Sequence, residues 1–268
     1  MVVLPTPPLR LSTATVCTLC TLRGLRFRIM RPDAVRLALD AELAAARARR
    51  DGEPPRVLDV GGGSGVLAVP FAAAGCVGTV VEPNPNALAT LSRRATDAGV
   101  SDRITAVQTD SDALGQVVPA GSMDVVVAHG LLEVVDDPKN TVDAMASAVA
   151  PGGVLSVLVA NRTAALLHRA LAGKLSEAAA LADDPAGRLP TEALLRRYDT
   201  EGLLTLLTDA GLTVELVQGH GVLSELVPGS VLQQDPLAPE AMADLELRLA
   251  RVTPLRDIAA RLHAIARR

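Results

Sequence analysis

A strand-like run that ends in closely spaced glycines constrains this chain more than any other feature. Residues 57–65 read Val-Leu-Asp-Val-Gly-Gly-Gly-Ser-Gly, and a helical pattern follows at 66–74. Glycine can adopt positive φ and lets a ligand approach the backbone closely. The start of the following helix adds unpaired N–H groups and a partial positive charge. The sequence therefore predicts an anion-binding turn between a buried strand and a helix.

Strands and helices alternate through most of the chain. The pattern predicts strands at 56–60, 77–82, 104–108, 123–128, 154–160, 212–217 and 220–227. It predicts helices at 32–50, 66–74, 84–98, 112–117, 138–150, 164–182 and 200–210, and a helical segment at 239–268. Alternation of this kind is typical of an α/β fold, in which a parallel sheet carries helices on both faces.

Three regions of different character follow from this pattern. Residues 1–30 contain several prolines and a Ser/Thr/Cys run, which predict a weakly structured N-terminal tail. Residues 31–230 form the predicted α/β domain, with a helical insert at about 162–185. Residues 231–268, rich in Ala, Leu and Arg, form a predicted C-terminal helical extension.

Composition and charge exclude several classes of protein. Apolar residues make up 49% of the chain, which argues against disorder, and the formal net charge of −4 argues against a partner held by bulk positive charge. Aromatic residues make up only 1%, which disfavours base stacking on aromatic side chains. No uninterrupted apolar run is long enough for a membrane helix, and the 3 cysteines are too few for a disulfide framework. We therefore expect a soluble, cytoplasmic protein that has no membrane contact.

Two cysteines near the N-terminus have the spacing of metal ligands. Cys17 and Cys20 form a C-x-x-C pair. No second pair and no nearby histidine completes the four ligands of a zinc site. We therefore predict no metal.

Two kinds of ligand use a glycine turn of this type: the pyrophosphate of a dinucleotide, and the methionine carboxylate of S-adenosylmethionine. The dinucleotide pattern G-x-G-x-x-G, started at Gly61, needs glycine or alanine at the position of Val66. The acid-x-G-x-G-x-G spacing of the methyl donor is met by Asp59, Gly61, Gly63 and Gly65. The spacing favours S-adenosylmethionine. The alternatives are an NAD-dependent oxidoreductase and a glycine turn that binds no ligand.

Acidic residues follow the second and third strands. Glu82 closes the second strand, where a carboxylate can accept hydrogen bonds from both ribose hydroxyls of an adenosine. Asp110, Ser111 and Asp112 follow the third strand, where they could bind the adenine ring, with Pro83 as an apolar lid on the base. The alternatives are a solvated acid at 82 and an exposed polar turn at 110–112.

Together these motifs resemble class I S-adenosylmethionine-dependent methyltransferases. The resemblance rests on the glycine run, Glu82, the Thr-Asp-Ser-Asp turn at 109–112, residues 123–126 and the Pro-Gly-Gly at 151–153. It implies a Rossmann-like sheet of seven strands, mostly parallel, with the last strand antiparallel. It also implies an enzyme that uses S-adenosyl-L-methionine; a protein that binds this ligand without turnover is the alternative.

A narrower resemblance concerns the acceptor. The His-Gly-Leu-Leu-Glu motif at 129–133, Asn161 and the stretch 245–267 are similar to the bacterial SmtA-like group. That group includes an enzyme that esterifies a carboxymethoxy group on a tRNA wobble uridine. The chain differs from the group in having Val134 where an aromatic residue is usual, and no arginine at 219–222. The acceptor is therefore either a modified tRNA nucleoside or a small metabolite.

This resemblance also implies roles for individual residues. Arg36 would reach the carboxylate of the donor, which a guanidinium can bind through two hydrogen bonds; the alternative is an ordinary surface arginine. The other parts of the donor are assigned as follows: the methionine part to Gly63 and Ser64, the ribose to Glu82, the adenine to Ser111 and Asp112, and the surroundings of the methyl group to His129.

His129 is the residue expected to face the acceptor. It follows the fourth strand, and open α/β sheets bind ligands at the carboxyl ends of their strands. We expect His129 to position substrate or donor, and to act as a base only if the nucleophile is protonated. The alternative is a buried histidine held by backbone partners. Asn161, after the fifth strand, is predicted either to bind substrate or to cap the next helix.

Overall fold

A seven-stranded sheet organises the computed structural model, which describes residues 33–234 and 237–268. Its strands are β1 (Arg56–Val60), β2 (Val77–Val81), β3 (Ile104–Val107), β4 (Met123–His129), β5 (Val149–Ala160), β6 (Thr213–His220) and β7 (Arg261–Arg267). They lie in the order β3-β2-β1-β4-β5-β7-β6. β7 is antiparallel to both of its neighbours, and the other pairs are parallel. The predicted α/β class and Rossmann-like sheet with an antiparallel last strand are confirmed.

Ten helices surround the sheet within the described residues. They are α1 (Ala34–Arg49), α2 (Ala68–Ala73), α3 (Pro85–Asp97), α4 (Leu114–Val117), α5 (Pro138–Ala148), α6 (Arg162–Leu171), α7 (Leu175–Asp183), α8 (Thr200–Asp209), α9 (Gly229–Gln234) and α10 (Ala238–Leu249). The predicted helical insert at about 162–185 corresponds to α6 and α7. None of the helices among the described residues has the length and apolar character needed to cross a bilayer.

Neighbouring residues of the central strands pack against different helices. Val57 of β1 belongs to a core cluster with Leu39 of α1 and Phe71 of α2. The next residue, Leu58, belongs to a second cluster that contains Leu203 of α8. Because successive side chains on a strand point to opposite faces of the sheet, the two clusters cover its two faces. Both faces therefore carry helices, as the alternating pattern predicts.

The C-terminal region differs from its prediction. α10 falls within the helical segment predicted at 239–268, but Arg261–Arg267 form strand β7 instead of a helix. β7 lies between β5 and β6 and is buried along most of its length. Pairing on both sides outweighs the helix propensity of its Ala and Leu residues. The predicted extension at 231–268 is therefore not separate from the sheet, and the strand predicted at 220–227 is a turn that follows β6.

The N-terminal predictions concern residues outside the described part of the chain. The weakly structured tail at 1–30, with Cys17 and Cys20, falls there. Within the described residues, no group of three or more His, Cys, Asp or Glu side chains could hold a metal ion.

Asn161 joins the end of β5 to the helical insert. Its Oδ1 accepts a hydrogen bond from the Thr163 N–H at 2.9 Å, which caps α6. Its Nδ2 donates to the carbonyl oxygens of Asp257 at 2.9 Å and Ala259 at 2.8 Å. The side chain is 1% exposed. Both amide hydrogens are thus used within the fold, in agreement with the helix-cap alternative and not with the predicted substrate contact.

Replacing Asn161 is expected to destabilise the fold. Asn161→Ala removes the cap and leaves two carbonyl oxygens without donors, at a cost of about 2–4 kcal/mol. Denaturant unfolding followed by circular dichroism measures this loss. Asn84→Ala is the matched control, because Asn84 caps α3 through one bond to the Asn86 N–H and is exposed. We expect about 1 kcal/mol for the control; equal losses for the two variants would contradict the interpretation.

Candidate functional site

The turn between β1 and α2 has the backbone that only glycine adopts easily. Gly61, Gly63 and Gly65 have φ values of 69°, 54° and 76°. At Gly62, a Cβ would lie 2.6 Å from the Asp59 Oδ2. The predicted glycine requirement thus has two causes: the left-handed backbone at three positions and close packing at the fourth.

A cavity of about 350 Å³ opens at this turn. Its size suits a small-molecule ligand. It lies at the carboxyl ends of the neighbouring strands β1 and β4. The chain adds β2 beyond β1 on one side and β5 beyond β4 on the other, and this reversal of strand order is the usual ligand position in open α/β folds. The lining residues come from the glycine turn, the start of the following helical segment and the ends of two strands: Asp59, Gly61, Gly62, Gly63, Ser64, Val66, Leu67 and His129.

Glu82 connects the glycine turn to the start of α3. One carboxylate oxygen, Oε2, accepts from the Gly63 N–H at 3.0 Å. The other, Oε1, accepts from the Asn84 N–H at 2.9 Å. The structure thus brings the predicted acid to the glycine turn, and its contact with a ribose stays a prediction.

Asp59 places a second carboxyl group beside the turn. It lies at the end of β1, lines the cavity and is 4% exposed. Burial, and to a smaller extent the negative charge of Glu82, raise the pKa of Asp59 to about 7. A larger share of this carboxyl group is therefore protonated near neutral pH than in an exposed aspartate.

The residues predicted to hold an adenine follow β3. Asp110 Oδ1 accepts hydrogen bonds from the Ser111 Oγ at 3.1 Å and from the Asp112 N–H at 3.4 Å. Ser111 is buried, and Asp112 is exposed. The carbonyl oxygen of Pro83 accepts from Gln108 Nε2 at 3.5 Å. None of these residues lines the cavity itself, so their role at the adenine stays a prediction.

Arg36 has partners other than the cavity. Its Nε donates to Asp40 Oδ1 at 2.8 Å, one turn further along α1. Its guanidinium lies 5.1 Å from the ring centre of Phe71, a cation–π contact. Arg36 is absent from the cavity lining, so the structure does not bring it to the position that the resemblance implies.

Arg94 is a contact of the turn that the sequence did not reveal. It lies on α3, and its Nη1 donates to the Oγ of Ser64 at 3.0 Å and to the Ser64 carbonyl oxygen at 3.2 Å. The residue is exposed and belongs to a helix with arginines at 93 and 94. Nothing in its spacing distinguishes it from an ordinary surface arginine.

His129 closes the cavity at the end of β4. Its Nε2 lies 2.9 Å from the Ser156 Oγ, which in turn lies 2.9 Å from His263 Nε2. Burial is the main cause that lowers the pKa of His129 to about 3. His129 is therefore neutral near pH 7. The hydrogen-bond partner of His129 is thus the Ser156 side chain, whereas the alternative reading of the sequence expected backbone partners.

Asp59→Asn is expected to change how stability depends on pH. The pKa of Asp59 is about 7 in the folded protein and 3.8 when the group is unperturbed. Between these values the folded protein binds more protons than the unfolded chain, so Asp59 lowers the free energy of unfolding as pH rises from about 4 to 7. Asparagine does not titrate, and the variant should lose less stability over this range.

Denaturant unfolding at several pH values tests this expectation. His129 and His263, whose pKa values fall to about 3, act in the opposite direction below about pH 6.5, because their unfolded forms bind more protons. They are present in both proteins, so the difference between the two stability curves isolates Asp59. Parallel curves for wild type and variant would show that Asp59 titrates normally.

Comparison with known proteins identifies relatives of two acceptor types. A methyltransferase-domain family model matches residues 31–217. The tRNA 5-carboxymethoxyuridine methyltransferase of Escherichia coli (strain K12) is 26% identical over 213 residues, which cover 80% of each chain. A ubiquinone biosynthesis O-methyltransferase of Caulobacter sp. (strain K31) is 33% identical over 147 residues, which cover 52% of this chain and 56% of the relative.

Solved structures share the fold. A SAM-dependent methyltransferase from Methanosarcina mazei has a TM-score of 0.56 at 18% identity and covers 81% of this chain and 93% of its own. The magnesium protoporphyrin IX methyltransferase from Synechocystis PCC 6803, solved with bound SAH, has a TM-score of 0.54 at 16% identity, with 87% and 82% covered.

The family match includes the parts of the chain that build the cavity. It spans the glycine turn, Glu82 and His129. An NAD-dependent oxidoreductase and a ligand-free glycine turn are thereby excluded. The chain belongs to the methyltransferase-domain family and is a class I enzyme that uses S-adenosyl-L-methionine.

Proposed function

We propose that this enzyme methylates a carboxyl or hydroxyl group on a modified tRNA nucleoside. The observation that carries the proposal is the extent of the tRNA-modifying relative, which matches 80% of this chain at 26% identity. The matched ubiquinone-pathway relative has higher identity but covers 52% of the chain. An acceptor of this class also supports a cytoplasmic enzyme.

The roles proposed for individual residues divide the donor into three parts. The backbone and hydroxyl at Gly63 and Ser64 would hold its methionine part. Glu82 would hold the ribose through the lone pairs that its bonds to the Gly63 and Asn84 N–H groups leave free. Ser111 and Asp112 would hold the adenine. The bound cofactor supplies a methyl group on a positively charged sulfur.

The protein contributes mainly geometry to this reaction. Holding the nucleophile and the methyl carbon at reaction distance can lower the barrier by up to about 7–11 kcal/mol. His129 is the cavity residue best placed to position the acceptor, because it stands at the end of β4 beside the glycine turn. A carboxylate nucleophile needs no base, whereas a hydroxyl must lose a proton.

A small-molecule acceptor is the second candidate. It is supported by the 33% identical ubiquinone-pathway relative and by the 1% aromatic content. Stacking on aromatic side chains is a common way to hold an unpaired base, and few such side chains are present here. The absence of arginine at 219–222 supports the same alternative.

Glu82→Ala is expected to weaken binding of the demethylated cofactor. Loss of hydrogen bonds from a carboxylate to two ribose hydroxyls should raise the Kd for S-adenosylhomocysteine by about 10- to 100-fold. Isothermal titration calorimetry measures the change. Glu53→Ala, at an exposed glutamate in the loop before β1, is the control and should bind like wild type. Equal affinities for wild type and Glu82→Ala would remove Glu82 from the site.

The acceptor is tested on tRNA directly. The purified enzyme is incubated with S-adenosylmethionine and tRNA that carries the unmethylated carboxymethoxyuridine, and the digested nucleosides are analysed by mass spectrometry. We expect a methyl ester at the wobble uridine, because the enzyme should accept the exposed carboxylate. If the carboxymethoxyuridine stays unmethylated while S-adenosylhomocysteine binds normally, the result would favour the small-molecule acceptor instead.

A further inference from the structure

A line of hydrogen bonds between buried side chains crosses the sheet and ends at the cavity. It contains His129 on β4, Ser156 on β5, His263 on β7 and Gln218 on β6, which are neighbouring strands. Beyond the two contacts of the Ser156 hydroxyl, His263 Nδ1 lies 2.9 Å from Gln218 Nε2. Ser156, His263 and Gln218 are each 0% exposed. The line is therefore shielded from solvent except at His129.

The partners of Gln218, at the end of the line furthest from the cavity, fix the orientation of its side-chain amide. The Nε2 of Gln218 lies 2.8 Å from the carbonyl oxygen of Ala34. A carbonyl oxygen only accepts, so the Gln218 atom beside it must be the amide nitrogen. Arg251 gives the same orientation, because its Nε donates to Gln218 Oε1 at 3.4 Å and a guanidinium cannot accept.

The orientation of the Gln218 amide determines which atoms donate and which accept along the line as far as His129. Gln218 donates to His263 Nδ1, so that nitrogen is bare and a neutral His263 carries its proton on Nε2. The His263 Nε2–H donates to the Ser156 Oγ, whose single hydrogen is then left for His129 Nε2. Burial lowers the pKa of both histidines to about 3, so each ring carries one proton near pH 7.

The remaining proton of His129 must then lie on Nδ1. Because Nε2 accepts from Ser156, the neutral ring has no other place for it. Nδ1 has no hydrogen-bond partner within 33–234 or 237–268, whereas Nε2 has one. Since His129 lines the cavity and its Nε2 is bonded to Ser156, Nδ1 is the ring nitrogen left to donate to a molecule there.

We propose that Gln218, His263 and Ser156 are positioning residues that hold His129 as the Nδ1–H tautomer, so that it donates a hydrogen bond to an anionic acceptor oxygen and removes no proton. The inference rests on the proposed function and narrows its acceptor to an ionised oxygen, such as a carboxylate. The carboxylate oxygen forms the bond to the methyl carbon while the carbon–sulfur bond breaks and its electron pair passes to sulfur. No proton is transferred in this step, so the reaction does not require an unprotonated nitrogen of His129 to act as a base.

Nitrogen NMR of the full chain tests the tautomer without any acceptor. In protein labelled with ¹⁵N at histidine, long-range proton–nitrogen spectra show which ring nitrogen carries the proton. We expect His129 to be protonated on Nδ1 and His263 on Nε2. A His129 ring protonated on Nε2 would overturn the proposal.

Gln218→Glu is designed to reverse the line. A glutamate oxygen in place of the amide nitrogen accepts from His263 Nδ1, which moves the His263 proton to Nδ1 and turns the Ser156 hydroxyl towards His263. His129 would then donate from Nε2 and lose its Nδ1 proton. The kcat/KM for the carboxylate acceptor should fall about tenfold or more while S-adenosylhomocysteine affinity is kept. The same spectrum shows the protonation of His263, and an unchanged His129 tautomer in a folded variant whose neutral His263 carries its proton on Nδ1 would contradict the proposal.

Ser156→Ala is the second variant, in case the buried glutamate prevents folding. Without the hydroxyl, His129 loses the contact that selects its tautomer, and both forms should appear in the spectrum. Thr141→Val is the matched control. Thr141 lies on α5 and is 0% exposed, and its hydroxyl donates to the carbonyl oxygen of Asp137 and not to a residue of the line. The control should keep the His129 Nδ1 proton. A single Nδ1–H form in Ser156→Ala would show that the line does not set the tautomer.

Failure of the proposed function has a different signature. If the wild-type tautomer is Nδ1–H but carboxymethoxyuridine in tRNA is not esterified, the positioning line stands and the tRNA acceptor is wrong. If tRNA is esterified but His129 is protonated on Nε2, the acceptor stands and the line is wrong.

Discussion

β7 makes hydrogen-bonded ladders with β5 on one side and β6 on the other, and both are antiparallel. β6 has no other strand neighbour in the described sheet, so β7 provides its only strand ladder there. The same strand carries His263 into the centre of the polar line that ends at the cavity. A segment near the C-terminus thus attaches one edge of the sheet and also determines the environment of His129, which lies on a strand from the middle of the chain.

The glycine turn and its acid could be predicted because their signal is local. The strand, the spacing of Gly61, Gly63 and Gly65 and the acid at Glu82 lie within a short stretch, and each has a backbone reason to be there. β7 could not be predicted, because its Ala and Leu residues suit a helix as well as a strand and its partners are distant in sequence. Only the pairing in the folded sheet decides between the two.

The polar line was missed for a related reason. Ser156, Gln218 and His263 have no characteristic spacing, and each looks like a polar residue in an otherwise apolar strand. Their meaning depends on the strand order, which brings β4, β5, β7 and β6 side by side. Asn161 shows the converse. Its residue type and position in the sequence suit either a helix cap or a ligand contact. The carbonyl groups of Asp257 and Ala259, which are distant in sequence, bind its amide and give it a structural role.

The two backbone bonds of Glu82 also have a consequence for the cofactor binding proposed for this residue. Its carboxylate accepts one bond from the Gly63 N–H of the glycine turn and one from the Asn84 N–H at the start of α3. Each carboxylate oxygen has a second lone pair, so it can accept from a ribose hydroxyl while both backbone bonds remain. In the proposed site, a carboxylate held in this way loses little side-chain freedom when the cofactor binds, and a deoxyribose analogue would leave one of its oxygens without a hydroxyl.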